Sequence, residues 1–382
     1  MAEIELAEGV ASIDRDAWNA LVGDESPFLE WDWLATLEQA GAVGEPTGWA
    51  PRPLVVRDGS GLTAACPLYV KGHSEGEFVF DWGWADAAER AGIPYYPKLL
   101  AGVPFTPVSG ARLLTAPGVE REAWTARLAA ALRELCDGNQ LSGVHVNFCR
   151  EDEIEPLRRA GFQPRLGVQY HWHNPGYRDF EDWLGRFRSK RRNQIRRERR
   201  SLEQQGVRIE VHSGDAIGAE LRDPLYHFYR ATVDGRAWGR PYLNPRAFEL
   251  LWERFRSRLC LVVARRGDEL IGGTLNVQKG DALYGRYWGC VRELPHLHFN
   301  VCYYAAIEHC IGAGLKRFEP GAGGDYKQVR GFDAQPTWSL HYLAEPRLAQ
   351  AVARFLEAER EEAQQAIGWL RERSAYKSGD DR

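Results

Sequence analysis

A chain of 382 residues, 44% of them hydrophobic, is longer than one core usually covers, so two domains are expected. The net charge of −4 gives no general attraction to polyanions, and no run reaches the ~18 apolar residues that a membrane-spanning helix needs. Seven cysteines, an odd number without a C-x-x-C pair, read as reduced packing residues and exclude a disulfide or zinc framework.

The opening ten residues alternate apolar side chains with Glu and lack the basic and apolar blocks of a secretory leader, so a cytoplasmic location is expected. A strand at 4–6 is followed by helices at 14–21 and 31–39, with apolar residues at i, i+3 and i+4. Strands at 53–57 and 62–70 flank a Gly-containing turn as a hairpin, and 78–82 reads as the next strand. A helix at 120–135, a strand at 144–148, a helix at 153–160 and a strand at 163–172 complete the first half. Between the halves, 186–200 holds nine Lys or Arg and one acid, and Phe180, Leu184, Phe187, Ile195 and Leu202 give it a helical stripe. The second half follows the same grammar: a strand at 207–211, helices within 224–233 and at 245–255, strands at 259–265, 270–278 and 282–288, and a helix at 299–312. A short strand at 317–319, a Gly-rich segment and a strand at 338–343 follow. Pro346 then opens a long helix to about 373 with an apolar stripe through Leu348, Val352, Phe355, Leu356, Ile367 and Leu370.

Leu54-Val55-Val56, Lys71-Gly72 and Trp82-Gly83 recur in order as Leu261-Val262-Val263, Lys279-Gly280 and Trp288-Gly289, at offsets of 206 to 208 residues. Gly161-Phe162 leads to His171-Trp172 as Gly331-Phe332 leads to His341-Tyr342, ten residues from Gly to His each time, at an offset of 170. Conserved order and spacing within one chain point to a folding unit written twice.

A hairpin, a third antiparallel strand and then strand–helix alternation resembles the GNAT acyltransferase layout, and two such units in tandem resemble the FemAB-like group of peptidyl or aminoacyl transferases. The stretches Phe80-Asp81-Trp82-Gly83-Trp84-Ala85-Asp86-Ala87, Tyr95-Tyr96-Pro97-Lys98-Leu99 and Pro104-Phe105-Thr106-Pro107 resemble FemAB-like proteins of peptidoglycan biosynthesis and recognition. So do Lys190-Arg191-Arg192-Asn193-Gln194-Ile195-Arg196-Arg197-Glu198, Leu297-His298-Phe299 and residues 327–332. The chain departs from that pattern at Asn300, where an acid is expected, and in Gly321-Ala322-Gly323-Gly324-Asp325-Tyr326-Lys327, where Gln, Glu and His are expected. The resemblance implies a mixed α/β (α+β) fold of two GNAT-like domains, each a twisted, mostly antiparallel sheet flanked by helices. These would span 1–175 on the acceptor side and 176–345 on the donor and catalytic side, before a C-terminal helix at 346–374 and a disordered tail at 375–382.

Acyl transfer to an amine needs a neutral amine, a carbonyl about 3 Å from it and donors for the developing oxyanion. With no Ser or Cys nucleophile motif, direct attack by the bound amine is expected. The glycines Gly321, Gly323 and Gly324 allow positive φ and close approach of backbone amides to an anion, or form a plain flexible turn. Beside them the resemblance puts the family's lysine at Lys327, which stabilises the charged intermediate or grips the donor's phosphate, with Arg330 three residues on. His298, Asp325 and His341 are the candidate acids or bases, and each also reads as an ordinary hydrogen-bonded residue. His296 and His298, like His171 and His173, form H-x-H pairs without a third ligand, so no metal is expected.

Arg191 and Arg192 on the basic segment read as phosphate contacts to the donor or as a solvated helix face. No DNA-recognition motif accompanies them. Asp81, Trp82, Tyr96, Lys98, Arg112, Arg286 and Trp288 mix charge with aromatics as a sugar or peptide pocket does, and are the acceptor candidates, in a cleft expected between the domains. At 292–298 the chain lacks the glycines with which GNAT domains bring a helix N-terminus up to pyrophosphate, so aminoacyl-tRNA is favoured over acyl-CoA as donor and tRNA as partner. No tightly bound cofactor is expected. Three functions follow: aminoacyl or acyl transfer to a peptide-like or cell-wall-precursor amine, acyl-CoA-dependent N-acetylation of a small amine, and non-catalytic binding of RNA or a precursor.

Overall fold

The computed structural model describes residues 3–59, 61–235 and 239–377. The chain forms two compact units, Met1–Val168 with Pro336–Ala366, and Gln169–Gln335 with Ile367–Arg382. The backbone passes from one to the other three times, inside the two eleven-residue strands Gln163–His173 and Asp333–Leu343 and inside helix Pro346–Glu372.

In the first unit, Glu3–Leu6, Leu54–Asp58, Gly61–Cys66 and Leu114–Thr115 form an antiparallel sheet. Pro67 cannot donate to a ladder, and there the second hairpin strand leaves this sheet. The continuing strand Leu68–Lys71 lies in a second sheet, between Trp49–Pro51 and Lys98–Ala101, with Lys98–Ala101 parallel to Gly143–Cys149. Leu54, Val56, Leu99, Val144 and Val146 pack against Leu128, Leu132 and Cys136 of helix Arg121–Gly138. The strand expected at 78–82 is instead the approach to a helix, Trp82–Arg90. Trp84 and Ala88, four residues apart, are its buried pair, and this helical period outweighs the β-prone Phe-Val-Phe before it.

In the second unit, Val207–Ser213, Leu259–Arg266, Glu269–Lys279 and Ala282–Cys290 form an antiparallel meander, and Arg317–Glu319 adds parallel to its last strand. Antiparallel strands ending in a parallel pair recur in both units, which is the GNAT-like architecture expected. Val262, Ala264 and Ile271 face Leu202, Leu297 and Val301. Helix Arg222–Asp234 covers the opposite face so closely that a Cβ on Gly289 would stand 1.7 Å from the Phe228 carbonyl oxygen. The Trp-Gly echo is therefore not a structural equivalence: Trp288-Gly289 is strand under a helix, while Trp82-Gly83 opens a helix in open space.

Of the other three echoes, the Leu-Val-Val and Gly-Phe pairs are structural. Both Leu-Val-Val segments start a hairpin, with register shifts at Val56/Arg57 and Ala264/Arg265. Both Gly-Phe pairs end a helical turn: Gly161 and Gly331 have φ of 95° and 83°, and Phe162 and Phe332 donate backbone N–H groups to the carbonyls of Leu157 and Lys327. Glycine's tolerance of the left-handed region makes this cap possible. Of the tail expected to be disordered, residues 375–377 are packed, and 378–382 lie outside the described residues. The Tyr376 hydroxyl accepts from Trp183 Nε1 at 2.9 Å and donates to the Gly331 carbonyl at 2.8 Å.

A Cβ at Gly331 would meet the Tyr376 hydroxyl at 2.5 Å and the Phe187 ring at 2.9 Å, whereas at Gly161 it meets only the flexible end of Arg133 at 3.2 Å. Gly161→Ala should cost about 1–2 kcal/mol for its left-handed backbone, and Gly331→Ala measurably more, in denaturant unfolding.

Candidate active site

The second unit builds its site on the loop after strand Arg317–Glu319. Gly321, Gly323 and Gly324 have φ of 86°, 69° and 90°, so backbone that other residues enter only with strain turns the chain into the 3-10 turn Asp325–Arg330. Lys327 is 2% exposed and its ammonium donates to the carbonyls of Gly321 at 2.6 Å and Ala322 at 3.2 Å, tying the loop back on itself. Burial lowers its pKa to about 8, near enough to neutrality for proton exchange at the pH of the cell.

His298 lies at the start of the helical stretch 297–312, its ring edge-on to Trp288, Tyr303 and Tyr326 at centroid distances of 5.2, 5.3 and 5.8 Å. Burial, then the charges of Arg330 and Lys327, depress its pKa to about 4, so it is a neutral imidazole beside two cations. Asn300–Tyr304 of that helix is wound as a π-helix, and Asn300 Nδ2 donates to the carbonyls of Glu198 and His296.

Arg330, expected to contact the donor, is buried. Its guanidinium stacks 3.4 Å over Phe299, donates to the Tyr304 hydroxyl and the Tyr326 carbonyl, and pairs with Glu198 at 3.3 Å. Glu198 is the lone acid of the basic segment and is 3% exposed, so it fastens helix Ser189–Gln204 to the Lys327 turn. On that helix Arg191 donates to Gln194 and Arg192 to Ser189, while Arg196 and Arg199 pair with Glu181 and Glu308. Asp325 opens the turn, and its side chain lies outside the described residues.

The catalytic candidates divide between the units. Lys327 and His298 fall together in the second, whereas His341 belongs to the first, its Nδ1 2.7 Å from His145 Nδ1, with burial lowering the pKa of both rings. The acceptor candidates divide too: Arg286 and Trp288 share strand Ala282–Cys290 with the second unit's site, and the rest are in the first. There the Lys98 ammonium, fully buried, donates to Ser74 at 2.9 Å, Glu77 at 3.1 Å and Asp81. Tyr95 also donates to Asp81, and Tyr96 shares a hydrogen bond with Ser74. Burial raises Glu77 to about 7 and lowers the neighbouring Lys71 to about 7; for Asp81 burial would also raise the pKa, but Lys98, His145 and the Ser74 hydrogen bond together outweigh it and the carboxyl is depressed. Trp82, 45% exposed, and Tyr96 are this cluster's solvent-facing members. Arg112 spends its guanidinium on the carbonyls of Val108, Gly110, Ala111 and Asn147, bracing the loop before it.

Sequence reasoning missed Glu319 and read His171 only as half of an H-x-H pair. Glu319 is 5% exposed, and burial, against the charges of Arg317 and His173, raises its pKa to about 7. His171 lies with Nε2 3.7 Å from Glu319 Oε2. The signal was available in the strand ending in Glu just before the Gly-rich loop, and in the H-x-H alternation of 171–173, whose partner a sequence does not show.

The profile of the FemAB-like family, described as peptidoglycan biosynthesis/recognition, matches residues 9–378. No curated protein matches the sequence. Among solved structures the chain is similar to FemX, at 13% identity over 89% of this chain and 98% of that one, with a TM-score of 0.55. It is similar to the C-terminal domain of a putative lysylphosphatidylglycerol synthetase from Agrobacterium fabrum, at 10% identity over 90% and 95% with a TM-score of 0.53. A conserved protein of unknown function from Bacteroides thetaiotaomicron VPI-5482 is similar at 9% identity over 90% and 100%, again with a TM-score of 0.53. At these identities the likeness is one of fold. Among the described residues no helix is long and apolar enough to cross a membrane.

Lys98→Met should leave Asp81 without its cation and Glu77 with only Lys71, 4.0 Å away, and destabilise the protein by about 3–5 kcal/mol, as loss of one buried ion partner does. Adding Asp81→Asn should restore part of that loss in denaturant unfolding, because it removes one stranded charge.

Proposed function

From its membership of the FemAB-like family, to which the chain belongs, we propose that this protein is an N-acyltransferase that moves an aminoacyl or acyl group onto an amine of a peptide-like or cell-wall-precursor acceptor. The observation that carries the reading is Lys327: a desolvated ammonium bound to backbone carbonyls at a glycine loop, on the position where the family's lysine is expected. An ammonium so placed stabilises an oxyanion or a donor phosphate strongly, because few water molecules compete for it.

Direct attack by the acceptor amine fits the absence of a competent thiol. Burial raises the pKa of all seven cysteines, which are in the described interior or half-buried, so none is a ready thiolate. His298, held neutral, is suited to contact a substrate carbonyl or amine without adding charge. Trp82, Tyr96 and the Lys98 cluster are the proposed acceptor contacts in the first unit.

Aminoacyl-tRNA is the favoured donor. The residue capping the 297–312 helix, His296, adopts a left-handed φ of 68° with a side chain where acyl-CoA enzymes need glycine for pyrophosphate to reach the backbone. The exposed basic residues of helix Ser189–Gln204 supply a sequence-independent phosphate face. We place the enzyme in the cytoplasm, where such donors are made.

Lys327→Ala should lower kcat by about 10²–10³-fold with the fold intact by circular dichroism. Mass-spectrometric detection of product from charged tRNA but not from acetyl-CoA supports the assigned donor, and the reverse pattern makes the protein an acyl-CoA-dependent N-acetyltransferase.

A further inference from the structure

The strongest unexplained feature outside the Lys327 loop is the pair Glu319 and His171. Glu319 Oε1 lies 2.9 Å from Arg317 Nε. Its other oxygen, Oε2, is buried without a hydrogen-bond partner among the described residues, as is His171 Nε2 facing it at 3.7 Å. Buried polar atoms are nearly always paired, so two open ones facing each other call for a functional explanation. The glycine loop clasped by Lys327 begins two residues after this carboxylate.

The duplicated fold sharpens the point. Phe318 pairs with Trp172, so the same register sets Glu319 opposite His171. In the first unit His341 pairs directly with His145. His171 and His341 each stand ten residues beyond a capping glycine, Gly161 or Gly331, so a cross-strand titratable pair occupies equivalent places in the two units. Only the second unit's pair contains a carboxylate, and only it runs into a glycine loop.

We propose that Glu319 is the general base of the transfer reaction, with His171 as its positioning residue. Glu319 Oε2 takes a proton from the acceptor's ammonium, and the freed amine lone pair forms the C–N bond to the donor carbonyl carbon. As the tetrahedral intermediate collapses, the C–O bond to the ribose, or the C–S bond of a thioester, breaks. The leaving oxygen or sulfur takes the second proton of the attacking nitrogen, and Glu319 returns its own proton to solvent. The groups facing the carboxylate set its basicity: Arg317 on its own strand and His173 on the neighbouring strand oppose burial, and the net result is a carboxyl near 7, the range a base needs at neutral pH. His171 is held neutral by burial and by Arg317, His173 and Lys327, so it does not quench the carboxylate by ion pairing.

This inference rests on the transfer reading, and its test separates the two. In wild-type enzyme kcat/KM should rise with pH through about 7 as Glu319 loses its proton. Glu319→Gln should lower kcat about 10²–10³-fold at pH 7 and abolish that limb with KM little changed, and Glu319→Asp should keep the limb at reduced rate. Full turnover with an unchanged limb in Glu319→Gln overturns the proposal. If wild-type protein turns over no donor, the transfer reading fails and ¹³C NMR of carboxyl-labelled glutamate decides on Glu319. A resonance absent from Glu319→Gln, titrating near 7 and displaced by a lysine-containing tripeptide, upholds it; one titrating in the ordinary range near 4, or indifferent to the tripeptide, overturns it.

Discussion

The second unit's site depends on one buried ion pair, Arg330 with Glu198. It joins a helix, a π-wound turn and the Lys327 loop, because Tyr304 donates to Glu198 and accepts from Arg330 while Phe299 lies under the guanidinium. Burying both charges costs solvation that their attraction only partly offsets, so the pair contributes little net stability. What it supplies is geometry: neither charge can leave without stranding the other, so the turn carrying Lys327 has one position. The cations around His298 are a consequence, and they add to burial in keeping that ring neutral.

Much of the fold could be read from periodicity and repetition. The two Gly-Phe pairs were visible as an echo because a helical turn ending in left-handed backbone needs glycine, and the next residue must be apolar to close the cap. The Leu-Val-Val hairpins were visible because each strand is β-branched and buried. Trp82-Gly83 misled because a dipeptide carries no period: the same letters serve a strand under a helix at 288–289 and a helix start at 82–83. The residues at 78–82 read as strand for the same reason, and the Trp84 and Ala88 spacing that decides the matter lies beyond them.

The candidate site was legible where local backbone demanded a residue type and hidden where a partner came from a distant strand. Lys327 stood out beside glycines that only a tight loop requires. Glu198 was seen only as the one acid in a basic run, yet it lies on the stripe of Ile195 and Leu202, both buried. A carboxylate on a buried stripe needs a cation, and that rule points to Arg330 without naming it. Arg112 read as a binding residue from its charge, but its donors are used by backbone carbonyls, which no local pattern reveals.

The two units answer the same electrostatic problem in opposite ways. In the first, Lys98 meets Glu77 and Asp81 and Asp81 stays ionised, although burial still draws Glu77 and Lys71 to about 7. In the second, the Lys327 ammonium is held by neutral carbonyls and Glu319 keeps one oxygen open, so the shifts toward neutrality are left uncorrected. Each costs folding stability: a carboxyl raised to about 7 weakens the native state as pH rises from its unfolded value toward 7, and a lysine lowered to about 8 weakens it as pH falls toward 8. A protein retains such groups where a carboxyl and an amine that both titrate near neutrality are useful together, and the proposed acyl transfer to an amine at neutral pH is such a circumstance.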